Sequence, residues 1–282
     1  MNKQRLLPLI SVCFSLGAAL LAAILRTCAL LTAFDPQIGF FDPSALVTVE
    51  TVLCFLAVIL PTVCACLIPK DTLPAELPDK SRDLTALLPL AGFLAFVLTC
   101  TTNRAAFLGV KLNPAGKDTV LSGVVTALTV LAVVGVVYAF CLLYGVKSRP
   151  LCAGIGLVPI FWCLVLVSVT YLDQYVAMNS PLKIGLQMGT LAMAVALTAE
   201  LRVLLGRTAP RCYLVFMGIG AFFCFDNGVS YLIASLAHAV KEKPLYEFAA
   251  YVLAAMGLYF ALRLVQYLRL HLSEKEEPAS CA

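Results

Sequence analysis

The sequence predicts an all-α fold: a polytopic integral membrane bundle of about eight transmembrane helices with both termini cytoplasmic. Three observations carry that expectation. The 282-residue chain is 61% hydrophobic and 13% charged, with mean hydropathy +0.96, whereas soluble domains hold about 45–50% apolar and about 25% charged residues. Apolar runs recur along the whole chain at about the 20 residues a helix needs to cross the hydrocarbon. The longest connectors, 69–83 and 102–118, are too short to fold alone. Any activity therefore belongs to the bundle and its short loops.

The expected spans lie near 6–34, 44–68, 84–101, 119–144, 151–172, 183–205, 211–238 and 246–270, a single domain over 1–272 with a short polar cytoplasmic tail at 273–282. Lys3 and Arg5 precede an apolar run reaching about residue 25, the layout of a secretory signal but longer than its 7–15-residue core. It reads as an uncleaved first span. Asp42-Pro43 has the chemistry of an N-cap followed by a first-turn proline and opens the second span, as Ser180-Pro181 opens the sixth. The third span is the shortest. Pro61 and Pro159 fall inside the second and fifth, where neighbouring helices can re-satisfy the freed backbone groups.

Orientation follows from the basic residues. With the N-terminus inside, the cytoplasmic ends carry Lys3, Arg5, Lys70, Lys80, Arg82, Lys147, Arg149, Arg202, Arg207, Arg211, Arg263, Arg269 and Lys275, against Arg26, Arg104, Lys111, Lys117, Lys183, Lys241 and Lys243 outside. That bias sets the orientation, and the expected location is the cell (cytoplasmic) membrane. The net charge of +4 is small and dispersed, so no nucleic-acid partner is expected.

Twelve cysteines lie mostly within apolar runs, and Cys64 and Cys66 form a C-x-C without a matching second pair. They read as small buried hydrophobes. Neither a metal nor a cofactor is expected. The loop "FDPQIGFFDPSA" repeats Phe-Asp-Pro at 34–36 and 41–43; its carboxylates read as turn and cap residues rather than cation ligands.

Ionisable residues inside spans are expensive and call for explanation. Arg26 and Glu50 lie at depths of roughly 12 Å and 9 Å below the outer boundary, counted at about 1.5 Å per residue, on helices joined by a short loop. They are expected to pair. Glu200 and Arg263 share a depth near the cytoplasmic side and are expected to tie the sixth and eighth spans, with Tyr259, Arg263 and Gln266 on one face.

Asn227, Tyr231, Ser235 and His238 recur on one side of the seventh span, and Asp226 and Ser230 form the adjoining row. This polar stripe cannot face lipid. Asp226 lies about 18 Å from the outer end without a same-depth cation, unless it competes with Glu50 for Arg26. A lone buried carboxylate favours its neutral form, which suits proton or cation coupling. Asp226, Asn227, Ser230, Tyr231 and His238 are thus the candidate ligand or ion site.

The chain has no H-E-x-x-H, G-x-S-x-G or P-loop, and only two histidines, His238 and His271. No catalytic residue is assigned and no enzyme is expected. The reading that results is a small-solute permease or transport component. The alternative is a membrane sensor or scaffold that docks the helices of a membrane protein partner. The expected partners are the lipid bilayer and a small solute or cation.

Overall fold

The computed structural model describes residues 3–69, 73, 84–102, 119–145, 148–173, 176–207, 209–240 and 244–273. The polar tail from 274 and most of the two longest connectors lie outside the described residues. So do Lys70, Lys80, Arg82, Arg104, Lys111, Lys117, Lys147, Lys241, Lys243 and Lys275 of the charge bias.

Among the described residues are eight helices long and apolar enough to cross a membrane. They are α1 (Lys3–Thr32), α2 (Ala45–Leu67), α3 (Leu87–Thr102, entered through a 3-10 turn at Leu84–Ala86), α4 (Thr119–Tyr144), α5 (Arg149–Leu172), α6 (Pro181–Leu204), α7 (Pro210–Leu236) and α8 (Pro244–Ser273). A two-residue antiparallel ladder, β1 (Phe34–Asp35) with β2 (Phe40–Phe41), closes the α1–α2 connection. We call that end of the bundle the hairpin end.

Packing ranks the helices. α7 buries 72% of its most apolar window, α6 67% and α8 61%, whereas α2 buries only 17%. The two most buried helices are also the least apolar, as expected when protein rather than lipid surrounds them. α7 touches α1, α2, α6 and α8, while α3, α4 and α5 form an arc closed by α6 and α8. Within the arc, Trp162 of α5 is fully buried and meets Phe93 and Phe96 of α3 edge-on at 5.6 Å and 5.2 Å.

Glycines set the closest approach. A Cβ on Gly228 would strike the backbone of Ala254, and one on Gly257 the backbone of Phe225. Each of α7 and α8 thus removes a side chain where the other passes, the close packing that small residues permit in membranes.

Caps explain several ends, and two depart from the sequence reading. The N-cap of α2 is Ser44, whose Oγ accepts from Val47 N at 3.4 Å; Asp42 lies before it. Asp35 forms the expected turn, its Oδ1 accepting from Gln37 N at 2.7 Å. Ser180 is the N-cap of α6 ahead of Pro181, but its hydroxyl donates to Gly39 O at 3.0 Å, pinning the hairpin to α6. α7 ends at Leu236, short of residue 238. His238 N donates to Ser235 O and Ala239 N to Ala234 O, both at 2.9 Å, with His238 at φ 54. That pattern is a Schellman motif. His238 therefore leaves the helical stripe and serves as the left-handed cap residue, exposed to the surroundings.

Candidate functional site

α1, α2, α6 and α7 converge near the hairpin end on a buried charge cluster. Arg26 enters from α1, where Ala18, Ala19, Ala22 and Ala23 keep the surrounding face small and buried. Its Nη1 donates to Glu50 Oε1 of α2 at 2.9 Å, and its Nη2 donates to Pro181 O at the start of α6 at 3.0 Å. That carbonyl belongs to the first turn of α6, so Arg26 joins three helices. Cys54, one turn below Glu50, donates its thiol to the same Oε1 at 3.5 Å.

Asp226 of α7 supplies the second carboxylate. Its Oδ2 is 4.0 Å from Arg26 Nη1. The aspartate is fully buried, and neither of its carboxylate oxygens accepts a hydrogen bond. Asp226 therefore does have a cation beside it: Arg26 is shared, held tightly by Glu50 and loosely by Asp226. The Ser230 hydroxyl is directed at the backbone carbonyls of Asp226 and Ala23 and leaves the Asp226 carboxylate alone. Asn227 donates Nδ2 to Phe223 O at 2.8 Å, while its buried Oδ1 has no hydrogen-bond partner. Three buried acceptor atoms thus lack a donor, although each can accept at least one hydrogen bond.

Gly185 makes the approach of α6 possible. A Cβ there would overlap both Asn227 Oδ1 and Arg26 Nη2. Arg26, Leu182, Asn227, Tyr231 and Tyr246 line a cavity of about 10 Å³, room for about one water. Above it, toward the hairpin, a vestibule of about 130 Å³ is lined by Phe34, Gln37, Gly39 and Ser180. Leu182, Tyr231 and Tyr246 line both spaces and so form the partition between them.

Two residues of this region escaped the sequence reading. Lys183, counted there as an outer charge, is buried and donates Nζ to Asp173 O at 2.7 Å. Tyr246 donates its hydroxyl to Asp173 Oδ2 at 3.1 Å. Asp173 and Lys183 flank the short α5–α6 connection, so shared depth would have singled them out, although the Lys183 bond runs to the backbone carbonyl of Asp173.

Glu50, Cys54 and Asp226 bring potential metal-ligand atoms within 4.8 Å of one another. Arg26 already supplies positive charge to that cluster. The arrangement holds one cation and two carboxylates in a setting dry enough to make the imbalance expensive.

The second cluster lies toward the other end. Glu200 of α6 is fully buried; its Oε1 accepts from Tyr259 Oη at 2.6 Å and lies 3.2 Å from Arg263 Nε, both on α8. Arg263 Nη1 donates to Gln266 Oε1 at 2.9 Å. Arg263 is 2% exposed, so it faces protein and ties α6 to α8 rather than reaching toward the interface.

The polar stripe of α7 thus divides between tasks. Asn227 and Tyr231 line the inner cavity, Asp226 faces Arg26, and Ser235 is buried nearer the helix end. Eight apolar helices around buried ion pairs make this a multi-pass membrane protein. No protein-family model, curated protein or solved structure matches the chain.

Proposed function

We propose that the protein is a small-solute permease, or the transport component of one, of the cell membrane, and that Asp226 is its coupling site. The carrying observation is the Asp226 carboxylate, fully buried without a hydrogen bond to either oxygen, beside an Arg26 that is already committed to Glu50. With one cation between two carboxylates, the cluster carries an unbalanced negative charge unless a proton or small cation joins it. The inner cavity, lined by Arg26 and Asn227 with room for about one water, gives such a particle a path toward the cluster. The vestibule of about 130 Å³ suits a small solute, and the Leu182–Tyr231–Tyr246 partition separates the two. Loading Asp226 releases Arg26 from the weaker of its two attractions, which gives the particle a way to alter the packing of α1 against α7.

The test is solute-dependent proton movement in proteoliposomes loaded with a pH-sensitive dye and challenged with a panel of amino acids, sugars and organic cations. Asp226→Asn should keep its thermal midpoint and lose the coupled flux. If the wild-type protein moves no panel member while a membrane partner co-purifies, a scaffold or sensor role replaces this reading.

A further inference from the structure

The end opposite the hairpin carries a second feature, unrelated to the coupling site. α6 closes with a Schellman motif: Gly206 at φ 72 donates N–H to Val203 O, and Arg207 N donates to Arg202 O, both at 2.9 Å. The motif folds the backbone of Arg207 onto that of Arg202. α7 then begins at Pro210 behind Ala209, which gives it no side-chain cap, and Arg211 follows at once. Arg202, Arg207 and Arg211 thus bracket the α6–α7 connection. Among the described residues no carboxylate pairs with any of them. Glu200, close in sequence, is committed to Arg263 and Tyr259. Arg211 Nε is buried without a hydrogen-bond partner, and the positive end of the α7 dipole adds to the same charge.

Beside this turn, between α6 and α7, runs a groove of about 140 Å³ with a predominantly apolar lining. Val195, Thr198 and Arg202 of α6 and Cys212 and Phe216 of α7 line it. Val195, Thr198, Arg202 and Cys212 are exposed, so the groove opens sideways into the bilayer. From Arg202 to Val195 it descends about 10 Å along α6, the direction an acyl chain takes from its headgroup.

We propose that this groove binds an anionic phospholipid. One acyl chain lies between α6 and α7, and the phosphate sits among Arg202, Arg207, Arg211 and the free N–H groups that open α7. The charge is complementary, and a helix N-terminus adds donors aimed at an anion.

Native mass spectrometry of the detergent-purified full chain, titrated separately with dioleoylphosphatidylglycerol and dioleoylphosphatidylcholine, tests this. The wild type should bind the anionic lipid at least tenfold more tightly. Arg202→Gln and Arg211→Gln should each cut that preference about fivefold, and the two together with Arg207→Gln should abolish it. Thr198→Trp, which fills the groove and keeps every charge, should weaken the anionic lipid as well. Equal binding of the two lipids by the wild type overturns the proposal, as does a preference that survives the triple substitution. Undiminished binding in Thr198→Trp overturns the groove. Since these variants leave the Arg26 cluster intact, their outcome is independent of the transport test.

Discussion

Arg26 Nη1 lies 2.9 Å from Glu50 Oε1 and 4.0 Å from Asp226 Oδ2, so one guanidinium serves two carboxylates unequally. Glu50 holds it with a hydrogen bond, and Asp226 has only the charge. The inequality makes Asp226 the member of the trio open to another partner.

Removing Arg26 should therefore be severe. Arg26→Ala leaves two buried carboxylates without their cation, and losing one partner of a buried pair costs about 3–5 kcal/mol. Glu50→Ala added to it should restore part of that stability, and Asp226→Asn added to both should restore more. Thermal unfolding in detergent measures the series. Strict additivity of Arg26→Ala and Glu50→Ala in the double-mutant cycle would remove the pair.

Gly185→Ala should destabilise the protein by about 1–3 kcal/mol, because the new methyl overlaps Asn227 Oδ1 and an Arg26 guanidinium already tied to Glu50 and Pro181. Gly154→Ala is the control. Nothing lies within 4 Å of its Cβ position, so the same change in α5 should be neutral or stabilising by up to about 1 kcal/mol. Equal effects at the two sites would contradict the close approach of α6.

At the end of α7, His238 holds a left-handed cap conformation that costs a non-glycine residue about 1–2 kcal/mol. His238→Gly should raise the unfolding midpoint and His238→Val should lower it. If instead His238 belonged to a functional stripe, uptake rather than stability would follow these substitutions.

The Glu200 cluster should show a graded response. Tyr259→Phe removes one hydrogen bond to a carboxylate, about 1.5–3 kcal/mol. Arg263→Leu strips the buried Glu200 of its cation and should cost about 3–5 kcal/mol. The reverse order of melting temperatures would show that the Tyr259 hydroxyl, not the Arg263 charge, secures α6 to α8.

The eight spans were legible because length and apolarity alone define them. Arg26 with Glu50 was legible because a short loop holds neighbouring helices at matching depths. Asp226 was harder. Counting depth along the backbone placed it well below Arg26, but Cα–Cβ bonds tilt toward the helix N-terminus. In α1 that direction is inward, so the long arginine side chain descends toward Asp226. His238 was misread for the opposite reason. Its spacing fits the stripe, yet the helix stops two residues before it, and the cap depends on a backbone angle that periodicity does not encode. The Asp42 cap was displaced to Ser44 because residues 40–41 are taken into the hairpin ladder.

The helix that carries Glu50 is the one most given over to lipid, with 17% of its apolar window buried. α2 is therefore the part of the bundle that bilayer thickness acts on most directly. A change in bilayer thickness should be felt first at α2, the helix that presents Glu50 to Arg26. Glu50 thus reaches the charge cluster from the helix most in contact with the membrane, and its bond to Arg26 is where the lipid-facing and protein-enclosed parts of the bundle meet.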